Sequence, residues 1–267
     1  MVKILNKLPK NWYWFSAVFL ILLLLLLFFS DILLSYFSQD DFFHLRAVMV
    51  KNFSDIPSFF LSMQSEYAFY RPLSRETFNL IMYNIFGLNP FPFHFVNLGL
   101  ILTNIFLVFL LVKKIVANPL VSYIAALIYT VSALHSIELY YLASVQTLLA
   151  TSFLLSGAFL YISFCLGGKL QLYCLAILAF VLALASHEMA IVLPGILLFA
   201  GILLREKKGS ITYRNLFFQM VPFLLVCIIY LAGTSLLSGM PGQKVYQPVF
   251  SPKSIINSLS WYTLWSF

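Results

Sequence analysis

The stretch LQLYCLAILAFVLALASHEMAIVLPGILLFAGILL, residues 170–204, decides the fold class of this chain. It is apolar almost throughout, and it is too long for one membrane-spanning helix, which needs about 20 residues. Ser186, His187 and Glu188 interrupt the apolar run near its middle. We therefore expect a tight hairpin of two helices, with these three polar residues in the turn at one face of a membrane.

Other apolar runs of near-membrane length flank this hairpin. Apolar residues make up 62% of the chain and charged residues 9%, whereas a soluble domain carries roughly 25% charged residues. The pattern predicts an all-α, polytopic bundle of seven or eight transmembrane helices. The predicted spans are Trp12–Leu34, His94–Val112, Leu120–Leu134, Ser144–Leu166, Leu170–Ala185, Met189–Leu204, Leu216–Leu236 and a last one that begins near Ile255. We treat residues 1–267 as one module, and we expect it to be truncated because the sequence stops inside the last apolar run.

Basic residues lie in short clusters between the apolar runs, and the formal net charge is +7. If the N-terminus is cytoplasmic, ten of the sixteen Lys and Arg residues face the cytoplasm, in keeping with the positive-inside rule. The ten are Lys3, Lys7, Lys10, Lys113, Lys114, Lys169, Arg205, Lys207, Lys208 and Arg214. This pattern indicates membrane lipids rather than nucleic acid as the partner of the charges. We expect an integral protein of a bacterial or archaeal cell membrane rather than of the endoplasmic reticulum.

The first outside loop, residues 35–93, is too long to be an idle connector and is rich in apolar and aromatic residues. Apolar side chains recur at helical spacing from Ser74 to Phe86, with Ser74 as the expected N-cap and Gly87 at the end. We predict that this helix lies along the membrane surface. Residues 42–50 are a candidate for a second helix of this kind.

Acids, histidines and an arginine fall in segments that this topology places on the outside. Ionisable residues near membrane depth are costly, so they are candidates for function. From five separate segments the candidates are Asp40, Asp41 and His44, then Tyr70 and Arg71, then His94, then His135 and Glu138, and finally His187 and Glu188. We expect them to converge at one membrane level.

The order of these motifs resembles the membrane module of GT-C glycosyltransferases, most closely the branch of protein O-mannosyltransferases and transmembrane tetratricopeptide-repeat mannosyltransferases. The motifs that carry the resemblance are the Asp40-Asp41 pair, Tyr70-Arg71-Pro72-Leu73, Ile85-Phe86-Gly87-Leu88-Asn89-Pro90, Phe93-His94-Phe95-Val96-Asn97-Leu98, His135-Ser136-Ile137-Glu138 and His187-Glu188 followed by Pro194. It covers about residues 1–235. It implies a polyprenyl-phosphate sugar as donor, an active site outside the cytoplasm, and a protein, glycan or lipid acceptor.

The chemistry of such a transfer assigns roles to these residues. A base must take the proton of the acceptor hydroxyl, and either Asp40 or Asp41 suits this role. The leaving phosphate needs fixed donors and cations, for which Arg71 is the best candidate and His135 and His187 are weaker ones. We include Tyr70, His94, Glu138 and Glu188 among the substrate-binding candidates. No cofactor is predicted, since the acidic pair alone is too thin a ligand set for a divalent metal.

The sequence departs from the family pattern at two places. His187 stands where lysine is common before the glutamate, and Ser144-Val145-Gln146 replaces a glycine–arginine pair. A donor-phosphate contact is therefore lost or supplied from elsewhere.

Structural roles compete with these functional ones. The two aspartates could end a helix, Arg71 could pair with an acid, and His135 with Glu138 could be a local pair. His94 with Asn97 and Asn104 is expected to join helices by hydrogen bonds. Other functions left open are a multi-pass transporter or lipid-carrier flippase and an inactive truncated module. The absence of an internal repeat and the one-sided polar groups favour the enzyme over a transporter.

Overall fold

The computed structural model describes residues 31–62, 69–132, 134–208, 212–237 and 251–265, together with Leu20. Within these ranges the chain is all-α, without a strand, as the sequence predicts. The eleven α-helices of these ranges are α1 (Asp40–Val48), α2 (Ile56–Leu61), α3 (Phe78–Phe86), α4 (Pro90–Val116), α5 (Pro119–Thr130), α6 (Leu134–Tyr140), α7 (Val145–Gly167), α8 (Leu170–Ser186), α9 (Leu193–Lys208), α10 (Tyr213–Leu237) and α11 (Pro252–Trp265).

Four helical segments are long and apolar enough to cross a membrane: Pro90–Val116, Leu142–Gly167, Glu188–Arg205 and Tyr213–Thr234. Helices α5 and α8 are apolar but shorter, at 12 and 17 residues, or about 18 and 26 Å. The predicted first span, Trp12–Leu34, lies outside the described residues except for Leu20 and its end, where Ile32–Leu34 form a 3₁₀ turn. The chain is therefore a helical membrane protein, and the count of seven or eight spans stays a prediction.

Helix starts differ from the predicted ones where an Asn-Pro pair precedes the apolar run. Helix α4 begins at Pro90 rather than His94, and α5 begins at Pro119 rather than Leu120. In each case the preceding asparagine accepts backbone N–H groups of the first turn, and proline occupies the first helical position, where no N–H is needed. Residue 134, the predicted end of the third span, instead begins the separate helix α6.

The first loop is folded onto the bundle rather than extended. A π-helical turn, Pro72–Thr77, leads into α3, and Gly87 ends α3 with a positive φ of 58°. Ser74 is not an N-cap, because its hydroxyl is fully buried and donates to the carbonyl of Ser186 at 2.6 Å. Helix α3 buries Leu80 and Met82 but leaves Ile81, Ile85 and Phe86 exposed, as a helix at a membrane surface would.

Close packing of α7, α8, α9 and α10 forms the largest core. Tyr161, Phe180 and Phe223 are fully buried there. At Gly157 of α7 a Cβ would lie 3.3 Å from Cδ2 of Leu193 in α9, a tight contact that the glycine avoids. The resulting rigid hairpin holds the turn at His187 in place, and this turn carries part of the candidate site.

The bundle has two chemically different ends. The ends of α4 and α9 carry basic residues whose cations lie over aromatic rings, as Lys114 does over Phe159 and Arg205 over Tyr213. The opposite end carries the first loop, α6 and the turn between α8 and α9. The fold therefore sorts the basic clusters from the acids and histidines, in line with the sequence pattern.

Candidate functional site

Arg71 lies at the centre of the polar end. Its Nε donates to Glu188 Oε2 at 2.8 Å and its Nη2 to Glu188 Oε1 at 2.5 Å, which makes a bidentate ion pair. The side chain of Arg71 is 17% exposed and that of Glu188 is 32% exposed, so the pair is half-buried but still accessible to solvent. The guanidinium also lies over the ring of Phe69, 4.9 Å from its centroid. One contact therefore joins the first loop to the α8–α9 turn, 117 positions away.

Gln146 extends this contact into α7. It is 2% exposed, and its Oε1 accepts a hydrogen bond from Arg71 Nη1. Its Nε2 faces His44 Nδ1 at 3.4 Å, which brings α1 into contact with the same group. We call Arg71, Glu188, Gln146 and His44 the polar network. It is built from four separate parts of the sequence.

His44 is neutral in this setting. Burial and the nearby cations of Arg75 and Arg71 lower its pKa to about 4, although Asp40 acts in the opposite direction. A neutral ring can accept the amide N–H of Gln146, which a protonated ring cannot. The contact with Gln146 thus fits the low pKa.

The two aspartates are in different surroundings. Asp41 is 3% exposed and accepts backbone N–H groups from Ser38 at 2.9 Å and Ala143 at 2.6 Å. Burial raises its pKa, and these hydrogen bonds act against that rise. Asp40 is exposed and accepts the hydroxyl of Tyr141 at 2.6 Å. Asp41 therefore anchors the loop to the turn before α7, whereas Asp40 is accessible to a substrate.

Beside Asp40 lies an open cleft of about 600 Å³. We call it the tyrosine cleft; it is lined by Ser38, Gln39, Ile137, Tyr140 and Tyr141. Gln39 has φ 44° and ψ −114°, a backbone conformation that is uncommon for residues other than glycine. Tyr140 also donates its hydroxyl to Asp31. The cleft is thus bordered by two tyrosine–aspartate pairs.

His187 and Tyr70 support the turn and the loop. The Nδ1 of His187 accepts the backbone N–H of Met189 at 3.2 Å, and burial together with Arg71 lowers the pKa of this histidine. Tyr70 donates to the carbonyl of Phe60 at 2.7 Å, and its own carbonyl accepts Tyr230 at 3.5 Å. Both residues lie beside Arg71.

His94 joins the loop to α6 from its place on α4. It is fully buried, with its ring nitrogens 3.0 Å from the carbonyl oxygen of Leu139 and 3.1 Å from that of Ser35. Asn97 donates to the carbonyl of Glu138 at 3.2 Å. Asn104 likewise binds α7, through Leu148 and Ser152. These contacts are the interhelical hydrogen bonds expected for this stripe.

His135 and Glu138 form a pair within α6. The His135 Nδ1 lies 2.8 Å from Glu138 Oε2, and its Nε2 lies 2.7 Å from the carbonyl oxygen of Tyr129. His135 is 2% exposed. These contacts fix the start of α6 against the end of α5. Because α6 also carries Ile137 and Tyr140, the pair helps to position one wall of the tyrosine cleft.

A second ion pair lies deeper in the π-helical turn. Arg75 Nη2 contacts Glu76 Oε1 at 2.6 Å, and both side chains are almost fully buried. Burial raises the pKa of Glu76, and Arg75 acts against this. The other carboxylate oxygen of Glu76, Oε2, has no hydrogen-bond partner among the described residues. Across the described ranges, no group of three or more His, Cys, Asp or Glu side chains is placed to hold a metal ion.

Gln146 and Tyr141 were not among the predicted site residues, although Gln146 belongs to Ser144-Val145-Gln146, where the sequence departs from the pattern of the resembling family. Gln146 is a polar residue in the first turn of a mostly apolar helix. Tyr141 immediately follows the motif that contains His135 and Glu138. These positions could be noticed in the sequence, but the sequence did not show that Gln146 contacts Arg71 or that Tyr141 contacts Asp40.

Comparison with known proteins gave no match to any protein-family description, curated protein or solved structure.

Proposed function

We propose that this protein is a membrane glycosyltransferase that transfers a sugar from a polyprenyl-phosphate donor to an acceptor hydroxyl on the extracytoplasmic face. One observation carries the proposal: Arg71, held by Glu188 and Gln146, lies at the same end of the bundle as the accessible carboxylate of Asp40. A cation for the phosphate and a base for the hydroxyl are the two groups that the reaction needs. The proposal includes a bundle of seven or eight transmembrane helices in which the end that carries Arg71 and Asp40 faces the extracytoplasmic side.

Asp40 is the proposed base. It takes the proton of the acceptor hydroxyl while the acceptor oxygen attacks the anomeric carbon. The bond between that carbon and the phosphate oxygen breaks, and the polyprenyl phosphate leaves with the bonding electrons. Attack opposite the leaving group inverts the configuration at the anomeric carbon. Tyr141 holds one carboxylate oxygen, which leaves the other for the acceptor.

Arg71 is the proposed phosphate contact. Its hydrogen bonds to Glu188 and Gln146 use three of the five N–H groups of a guanidinium. The remaining two can bind phosphate oxygens while the carboxylate keeps the plane of the guanidinium fixed. Glu188 is then a positioning residue, and Gln146 offers a neutral contact where the resembling family often has arginine.

The test is transfer by Asp40→Asn in membranes that contain the full chain. Radiolabelled polyprenyl-phosphate mannose and polyprenyl-phosphate glucose serve as donors, and disappearance of the labelled donor itself is followed by thin-layer chromatography. Removing the base is expected to lower the rate by about 100-fold or more. The matched control is Asp55→Asn in the same loop, whose carboxylate only caps a 3₁₀ turn; it should keep the wild-type rate.

Two results contradict the proposal. One is a wild-type protein that consumes neither donor. The other is an Asp40→Asn variant that transfers sugar as fast as Asp55→Asn. Equal expression of the variants, measured in the same membranes, excludes loss of protein as the cause of a lower rate.

A further inference from the structure

We infer that the tyrosine cleft is an acceptor site for a neutral carbohydrate. The inference rests on the proposed function, because it assigns the acceptor side of the same reaction. The cleft has a volume of about 600 Å³, within the range of small-molecule sites, which is about 300–1,000 Å³. It opens beside Asp40, so a ligand bound there lies next to the proposed base.

The lining of the cleft matches the two kinds of surface that a sugar presents. The hydroxyls of Ser38, Tyr140 and Tyr141 and the amide of Gln39 can donate and accept hydrogen bonds with sugar hydroxyls. The tyrosine rings and Ile137, which is 60% exposed, offer apolar surface for the C–H faces of a sugar ring. Such a mixture of apolar surface and a few polar groups is typical of a ligand site.

Charge excludes an anionic ligand from this cleft. None of its five lining residues is a cation. Asp31 and Asp40 accept the hydroxyls of Tyr140 and Tyr141, which places two carboxylates at its border. A phosphate would be repelled by these carboxylates. The donor phosphate and the acceptor therefore bind at different places, one at Arg71 and the other in the cleft.

Asp40 connects the two places. Its carboxylate is bound to Tyr141 at the cleft, and it also lies close enough to His44 of the polar network to influence the pKa of that histidine. His44 in turn contacts Gln146, which binds Arg71. A hydroxyl held in the cleft thus lies next to Asp40, which is connected to Arg71 through His44 and Gln146.

The test measures binding of sugars without any donor. Purified full-length protein in detergent is mixed with the methyl glycosides of mannose, glucose, galactose and N-acetylglucosamine, and saturation-transfer NMR detects binding. At least one glycoside is expected to bind the wild type. Ile137→Trp fills the cleft and should abolish the signal. Ile85→Trp changes an equally exposed isoleucine, 61% accessible on α3, and should keep it.

A second variant distinguishes loss of the binding site from misfolding. Gln39→Gly suits the positive φ at this position while it deletes the side-chain amide, so it should weaken glycoside binding without a loss of thermal stability. The inference is overturned if no glycoside binds, if Ile137→Trp and Gln39→Gly both bind as the wild type does, or if glucose 6-phosphate binds better than the glycosides.

The two proposals fail in different ways. Glycoside binding that depends on the cleft, in a protein that consumes no polyprenyl-phosphate sugar, would support the carbohydrate site and contradict the transferase. Donor consumption that depends on Asp40, in a protein whose cleft binds no glycoside, would support the transferase and contradict this acceptor site.

Discussion

Arg71 shows how a single side chain can organise a site. Its bidentate pair with Glu188 and its hydrogen bond to Gln146 join three segments that are far apart in sequence. Asp40 and Asp41 are neighbours in the chain, yet one is exposed and the other is nearly fully buried. Adjacent residues on a helix point in different directions, which gives the two carboxylates different chemistry.

His44 gives a prediction on pH. Its pKa is about 4 in the folded protein and about 6.5 when unfolded. The unfolded chain therefore takes up the proton first, and stability should fall as the pH drops from 6.5 towards 4. The loss is at most about 3 kcal/mol. His44→Gln should flatten this part of the melting-temperature profile. Identical pH profiles for the two proteins would contradict the assignment.

Sequence alone identified many residues of the site but not their contacts. The predicted candidates Arg71, His187 and Glu188 lie together in the structure. That Asp41 would bind the backbone of Ala143 could not be read from the sequence, because no pattern reports a pairing over 102 positions. Gln146 was missed for the same reason. Their roles in sugar transfer stay predictions.

At the scale of elements, the first loop depends on the turn between α8 and α9. Ser74 and Arg71 each bind this turn, through Ser186 and Glu188. The loop carries Asp40 and Arg71, and Glu188 of the turn binds Arg71, so the attachment fixes the position of the proposed phosphate contact.

Glu188→Gln tests this attachment. It leaves the half-buried Arg71 without its counter-charge and should cost about 1–3 kcal/mol. Amide hydrogen exchange in Pro72–Thr77 should become faster, whereas Glu138→Gln, which breaks the local pair in α6, should leave that exchange unchanged. The double variant Arg71→Gln with Glu188→Gln should be more stable than Glu188→Gln alone, since no unpaired charge remains. Unchanged exchange in Glu188→Gln would show that the ion pair does not hold the loop.

Helix ends were predicted less well than helices. The sequence placed α7, α8 and α10 within a few residues of their observed bounds, because long apolar runs are a strong signal. Asn-Pro pairs explain the earlier starts of α4 and α5, because in each pair the asparagine caps the helix and the proline begins it. The candidate span Glu188–Arg205 begins with the 3₁₀ turn Glu188–Val192 rather than a regular helix. Pro194 lies in the first turn of α9, where its lack of an N–H is tolerated.

At the scale of the whole molecule, the fold separates an apolar outer surface from a polar end of the bundle. The exposed residues Phe217, Leu224 and Ile228 form a stripe along α10 that suits lipid. The polar network, Asp40 and the tyrosine cleft lie together at one end. The sequence predicted this separation from the positions of the basic residues, since charge near lipid is costly and is confined to the ends of spans.

The central claim is that the base, the phosphate contact and the cleft share the end of the bundle that faces the exterior. The most direct measurement is labelling of single cysteines in intact cells with a membrane-impermeant maleimide. In a background without the three native cysteines, Ile137→Cys in the cleft should react from outside, whereas Lys113→Cys at the basic end should react only after the cells are lysed. Reaction of Lys113→Cys in intact cells, with Ile137→Cys protected until lysis, would contradict the account.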